Sequence, residues 1–239
     1  MNCIFLRRGY EEVEVTPPAP EIYSTFADND WSTIIYACQN NLVPSSWAVG
    51  NNKTMLIGGT NYQIDIIGKG HDTYSSGGTA PLTFQLHDCY KTDYPMNSSQ
   101  TNVGGYGGSA MHKTHLPALL SLMPSEVQEA IKEVDKKTSV GNKSSTIETV
   151  KCKLFCLSEI EIFNAVSYSP SGEGKRYNYY SSSSRIQKYK NGSTYPWWER
   201  SPNKNNAMYF ACVSNTNSGE QGSAQANATW IGVAPAFCF

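Results

Sequence analysis

The residues of this 239-residue chain best suited to chemistry are four histidines and seven cysteines. His71-Asp72 and His87-Asp88 stand at the ends of two neighbouring alternating segments. Imidazole and carboxylate converging there would suit a divalent metal or a hydrolase. No recognisable turn presents a nucleophile beside them, so turn capping is the favoured reading. His112 and His115 share a helix-like spacing but have no further ligands, which favours packing or surface roles. Calcium needs carboxylates and carbonyls clustered in one loop, and the sequence has no such acidic loop. The cysteines (Cys3, Cys38, Cys89, Cys152, Cys156, Cys212, Cys238) form no paired C-x-x-C knuckles, and their odd number leaves at least one unpaired. Cys152 and Cys156 lie four apart in an alternating run, both on one face, without two more zinc ligands. Buried free thiols in a reducing compartment are therefore expected. Gly104–Gly108 lacks the Lys-Ser/Thr ending of a phosphate loop and reads as a tight turn needing positive φ or close packing. No catalytic residue, metal or cofactor is expected.

The elements that position these groups follow from periodicity. Residues up to about Val15 read as a strand or extended arm, and Thr16-Pro17-Pro18-Ala19-Pro20 is a stiff connector. Residues 1–20 are thus an N-terminal arm and linker, and 21–239 one long domain. Trp31, Ile34, Ile35 and Cys38 recur at helical spacing after Asp28-Asn29-Asp30, predicting a capped helix. Trp47-Ala48-Val49, a Gly50-Asn51-Asn52 turn and Thr54 to Ile57 predict a hairpin. Tyr62, Ile64 and Ile66 alternate in one further strand, and Leu82, Phe84 and Leu86 in another. Ser109 reads as the N-cap of a helix near Met111 to Leu122. Pro124 opens a second helix carrying Val127, Ile131 and Val134, with Asp135-Lys136-Lys137 as its solvated end. Glu148 to Ser158 returns to strand, and a Tyr/Ser-rich segment (Tyr177 to Ser184) and short strands finish the chain. Helices early and short antiparallel strands late indicate an α+β fold.

Bulk properties exclude several partners. With net charge -1 and 16% charged residues, neither nucleic acid nor an anionic membrane surface is indicated. No stretch has the apolar length needed to cross a bilayer, so membrane insertion is not expected. Cys3-Ile4-Phe5-Leu6 is too short for a signal-peptide core and is followed, not preceded, by arginines, which points to synthesis and folding in a cytoplasm. Fifteen tyrosines and five tryptophans among Ser, Asn and Gly supply rigid contacts with adaptable hydrogen bonding, as in antibody-like binding surfaces. That chemistry concentrates at the C-terminus. Two apolar bookends, Tyr195 to Pro202 and Gly232 to Phe239, flank a stretch from Asn203 to Ile231 crowded with Asn, Ser, Thr, Ala, Gly and Gln. A disordered tail would not end on Val233-Ala234-Pro235-Ala236-Phe237, so the polar stretch reads as two strands and a loop held at both ends.

These bookends carry a resemblance. Trp197-Trp198-Glu199-Arg200-Ser201-Pro202, Tyr209-Phe210, Val213 and Gly232-Val233-Ala234-Pro235-Ala236-Phe237 resemble a domain of unknown function widespread in gut-bacterial surface proteins and their phages. Upstream, Trp47-Ala48-Val49-Gly50, Ile67-Gly68 with His71-Asp72, Met96-Asn97 to Gly105, Glu173-Gly174 and Tyr177 fit the same pattern in order, over about Trp31 to Phe239. Tyr106 and His112 depart from it, where the family carries Trp and Arg. Many members resemble the variable proteins of diversity-generating retroelements. The resemblance implies a C-type-lectin-like domain with two main helices and short antiparallel strands. It also implies a variable region at about 199–239, where error-prone copying of a template at adenines changes side chains on a fixed backbone.

In phage members such proteins sit at the tail tip and bind host receptors, often as multimers that gain avidity. The expectation is therefore a non-enzymatic virion adhesin. It would be made in a bacterial cytoplasm, bind a host cell-surface protein or glycan and act as a homo-oligomer such as a trimer. A bacterial surface or effector protein is the alternative, and an enzyme of the formylglycine-generating fold class a more distant one, requiring a reactive cysteine pair. Carried over position by position, the binding residues are Asn203, Lys204, Asn205, Asn206, Ala207, Met208, Ser214, Asn215, Thr216, Asn217, Gln225, Asn227, Thr229, Trp230 and Ile231. Asparagine has the adenine-rich codons such templates favour. Lys204, Met208, Gln225 and Trp230 cannot come from codons ending in a pyrimidine and need another adenine codon or ordinary inheritance. Cys212 stands either as a varied position or as a core thiol. Trp197, Trp198 and Phe237 are expected in the core, with Arg200 buried and paired.

Overall fold

The computed structural model describes residues 18–216 and 219–239. The expected arm and linker lie outside the described residues except for Pro18, Ala19 and Pro20, as do Cys3 and Asn217. The fold is α+β, with few helices and several antiparallel sheets.

Helix α1 (Trp31–Gln39) forms where the apolar spacing requires it, and the Asp30 carboxylate accepts from Thr33 N at 2.7 Å as its N-cap. Strands β1 (Asn52–Ile57) and β2 (Thr60–Lys69) then pair across Gly58-Gly59. Both glycines have positive φ, 54° and 79°, the backbone that a two-residue hairpin turn needs. The hairpin therefore lies one strand later than the sequence suggested. The Gly50-Asn51-Asn52 segment is instead a turn in which Asn51 Oδ1 accepts from Ala48 N. Strand β3 (Leu82–Leu86) adds to β2 and is buried throughout.

The glycine-rich segment forms a single helical turn, α2 (Gly105–Gly108). Gly104 and Gly105 have positive φ, and a Cβ on Gly105 would stand 2.4 Å from the Ser139 carbonyl oxygen. Close packing thus accounts for this glycine. A π-helical turn (Met111–His115) leads into α3 (Leu116–Leu120). Ser109 Oγ accepts from His112 N at the start of that turn. Helix α4 (Ser125–Ala130) follows Pro124, but it stops well before Val134. Val134 opens strand β4 (Val134–Ser139), which pairs with β5 (Ile147–Cys152). Val134, Lys136 and Thr138 alternate into the interior. Lys136 is therefore buried, not at a solvated helix end; its charge is matched by carboxylates distant in sequence, described below. The strand expected to run to Ser158 ends at Cys152, and Glu159–Phe163 forms α5.

The C-terminal third holds β6 (Lys188–Lys190), β7 (Ser193–Tyr195), β8 (Trp197–Pro202), β9 (Tyr209–Val213), β10 (Gln221–Gln225) and β11 (Ala236–Cys238). Strand order β1-β2-β3-β11 makes one four-stranded antiparallel sheet, and β10-β9-β8 a three-stranded one. The last strand thus returns to the sheet built from the first half of the chain. There Phe84, Phe237 and Phe239 pack together with Trp31 at centroid distances of 5.2–6.2 Å. Fully burying such side chains contributes about 1.5–3 kcal/mol each before entropy is counted. No helix among the described residues is long and apolar enough to cross a membrane.

Candidate functional site

Every residue of β8 is buried. The indole N–H of Trp197 donates to Ile186 O and that of Trp198 to Tyr94 O, which satisfies both polar edges inside the core. The two bookends touch. Trp198 N donates to Gly232 O at 2.9 Å, and Gly232 N donates to Pro196 O at 2.8 Å. A Cβ on Gly232 would stand 2.6 Å from the Cys89 sulfur, so this join needs glycine. Phe237, in β11, is buried.

Between the joined ends the polar stretch divides into frame and face. Ala224, Ala226 and Ala228 point inward while Gln225, Asn227 and Thr229 point outward. The backbone of this run is held by main-chain bonds alone: Ala226 N to Met208 O, Asn97 N to Ala226 O, and Ala228 N to Gln225 O. Among the described residues, no side-chain hydrogen bond engages Ser223, Gln225, Asn227, Thr229 or the Trp230 indole nitrogen. Trp230 is 59% exposed and Met208 44%. Asn205, Asn215 and Thr216 are also exposed, and Lys204, Asn206, Ala207 and Ser214 are half-buried.

Two expected binding residues belong to the frame. Ile231 is fully buried in the core. Asn203 is 5% exposed, and its Oδ1 accepts from the backbone N–H groups of Asn205 and Asn206, folding the loop before β9. Asn203 directly follows β8, and Ile231 directly precedes Gly232, so each inward side chain lies where the polar stretch meets a bookend. Asn206 likewise turns its amide oxygen to Met208 N, and Ser214 bonds to Thr216. Cys212 is buried in β9, which assigns it to the core. Sequence reasoning missed Tyr209 and Ser223, which line a groove of about 520 Å³ with Gln225, Asn227, Thr229 and Trp230. It also missed Asn102, buried, whose amide donates to Asn206 O and Tyr209 O and pins the loop from a hundred residues upstream.

A buried ionic network gathers the upstream motif residues. Lys136 Nζ has three partners, Asp72 at 2.7 Å, Glu161 at 2.8 Å and the Tyr177 hydroxyl at 3.1 Å. Arg200 makes a two-pronged pair with Glu161 at 2.6 and 2.9 Å and spends its other donors on the carbonyls of Lys137, Cys156 and Glu173. Glu161 also accepts from Ser158 N at the start of α5. Burial alone would raise the Asp72 carboxyl, but Lys136 overrides it and holds the group at about 2. Glu161 is likewise held below its ordinary value by Arg200 and Lys136 against burial. Glu173 goes the other way: burial outweighs Arg200 and pushes it to about 7. A cavity of about 410 Å³ opens above this network beside His71 and Lys175.

Each histidine of the His-Asp pairs is engaged by a residue other than its neighbouring aspartate. His71 stacks on Tyr177 with centroids 3.7 Å apart. His87 bonds to Asp65 rather than Asp88, and Asp88 accepts from Tyr189 N. His115 stacks on Tyr94. Among the described residues no group of three ligand side chains could hold a metal ion. His112 Nδ1 lies 3.9 Å from the Cys152 sulfur, the geometry nearest to a nucleophile and base. Burial lifts that thiol to about 12 and lowers His112, so neither is activated. The six described cysteines are all free and buried. We expect all six to stay unmodified when the native protein is treated with iodoacetamide and to react once it is unfolded. Mass spectrometry of the peptides checks this, and fast native labelling of Cys152 or Cys156 would favour the enzymatic reading.

No curated protein and no solved structure matches the chain. Residues 82–239, from β3 through the polar face to the last strand, match a family described as a domain of unknown function. The chain belongs to that family, DUF6273.

Proposed function

We propose that this protein is a receptor-binding adhesin displaying a diversifiable face on a C-type-lectin-like scaffold, carried at a phage tail tip as a homo-oligomer. One observation carries the reading: among the described residues, outward side chains from Ser223 to Trp230 have no intramolecular hydrogen-bonding role, while inward alanines and main-chain bonds hold the backbone beneath them. Side chains on such a face can change without unfolding the frame. The resemblance to retroelement variable proteins supplies the phage setting, the lectin-like assignment and the oligomer. A host cell-surface protein or glycan is the ligand class.

The test exchanges Asn205, Asn215, Asn227 and Trp230 together for other polar or aromatic residues. Surface substitutions of this kind each shift stability within about ±0.5 kcal/mol, so the melting temperature moves by only a few degrees. Binding of the labelled full chain to a panel of intact gut bacteria, read by flow cytometry, changes or disappears. A large loss of stability would mean that these residues are core. Unchanged cell binding would sink the adhesin reading. A near-copy of the gene's last stretch, differing only opposite adenines and lying beside a reverse-transcriptase gene, is the genomic counterpart.

A further inference from the structure

We infer that the groove beside Trp230 takes a neutral saccharide and needs no metal ion to do so; this rests on the reading of the face as a binding surface. Tyr209, Ser223, Gln225, Asn227, Thr229 and Trp230 line it together with two alanines, and none carries a charge. A charged ligand group placed there would lose its hydration without gaining a partner. The occupant is therefore neutral.

Its polarity follows from the groups left free. Two side-chain amides, two aliphatic hydroxyls and an indole N–H stand in one groove without intramolecular partners among the described residues. Amides offer a donor and an acceptor side by side, which suits adjacent hydroxyls that both donate and accept. Trp230 adds an aromatic face that is more than half exposed. A pyranose joins these two needs in one molecule, an apolar face of C–H bonds and a rim of hydroxyls. A protein epitope of similar footprint normally brings aromatic or Arg anchors into desolvated pockets. Here a groove of about 520 Å³ sets one exposed aromatic face among several hydrogen-bonding side chains. It falls within the range of about 300–1,000 Å³ usual for small-molecule sites.

The chain provides its own reporter. Of five tryptophans, Trp31, Trp47, Trp197 and Trp198 are buried and only Trp230 is exposed. Acrylamide quenching of the native full chain therefore reads Trp230. The probes are neutral oligosaccharides of glucose, galactose, mannose and N-acetylglucosamine, titrated one at a time. At least one is expected to shield Trp230 from acrylamide. Its affinity should be the same with EDTA and across roughly 0.05–0.5 M salt, since no charge pair is screened. Trp230→Ala, followed by calorimetry, and Asn227→Ala should each weaken that binding about tenfold or more, which is about 1.4 kcal/mol. Melting temperatures within a few degrees of the parent show that both variants fold. If no neutral oligosaccharide protects Trp230, the inference fails. Cell binding separates that failure from failure of the adhesin reading. Binding that depends on Trp230 and is abolished by protease but not periodate treatment of the cells means a protein ligand, and overturns the saccharide alone. Cell binding indifferent to Trp230 and Asn227 overturns both.

Discussion

Arg200→Met lowers the stability of this protein by about 3–5 kcal/mol, the usual cost of removing one partner from a buried ion pair. For a chain of this length that corresponds to a fall in melting temperature on the order of 10 °C. The reason is the completeness of the pairing. All five donors of the guanidinium are used, two on Glu161 and three on main-chain carbonyls of β4, the segment after β5 and the Glu173 loop. Methionine fills much of the volume but leaves three buried carbonyls without that donor, each costing about 1–3 kcal/mol when wholly unpaired. Lys136 remains beside Glu161 and limits the electrostatic part of the loss. Arg200→Lys retains the charge, yet an ammonium has three donors and no planar fork, so it recovers only part of the stability. Thermal and urea unfolding of the three proteins checks this. A loss below about 1 kcal/mol for Arg200→Met would mean that the network is solvated and does not hold the second sheet to α5.

The second large effect is in the pH dependence. Glu199 is buried in β8, and among the described residues neither carboxyl oxygen has a hydrogen-bond partner. Burial, reinforced by the carboxylates of Glu159 and Glu173, raises its pKa well above the ordinary 4.5. A carboxyl whose folded pKa exceeds its unfolded one stabilises fully below the unfolded value. That contribution is lost as pH rises through the folded value. The slope is up to about 1.4 kcal/mol per pH unit for each such group. Glu173 adds a second contribution of the same sign between 4.5 and about 7, roughly 3 kcal/mol in all. Asp72 acts oppositely: its stabilisation is present above 3.8 and is lost as pH falls towards about 2. Through these three groups stability should therefore be greatest near pH 4 and decline towards pH 8.

Glu199→Gln isolates the first contribution, because the amide stays neutral and no existing hydrogen bond is lost. The variant should match the parent near pH 4 and melt higher at pH 8. Melting curves for both proteins across this range decide the matter, and parallel curves would mean that Glu199 reaches solvent. Glu173→Gln is the less clean comparison, because the Glu173 carboxylate accepts from Ser139 N and from the Ser201 hydroxyl.

Local chemistry was readable wherever a partner lay within a few residues. Asp30 caps α1 three residues on, and Ile64, Ile66, Leu82, Phe84 and Leu86 show alternation in β2 and β3 that needs no distant information. The same holds for the bookends, since Trp197, Trp198 and Phe237 have no comfortable place but a core. The polar stretch was legible as a whole. Its division was not: Asn203 and Asn205 are identical in type, yet one amide braces the loop and the other meets solvent.

Composition, period and capping thus determined by themselves that this chain has an α+β core, a rigid C-terminal frame and a polar segment within it. The tertiary structure alone decided which charges are interior. Lys136 looked like a helix end because its neighbours are Asp135 and Lys137, but the groups that make its burial tolerable are Asp72 and Glu161, 64 and 25 residues away. The tertiary structure likewise decided which asparagines are displayed and that Tyr209 and Trp230 share a groove. A buried charge or a spent amide depends on partners that only folding brings within about 3 Å, and no local rule carries that distance.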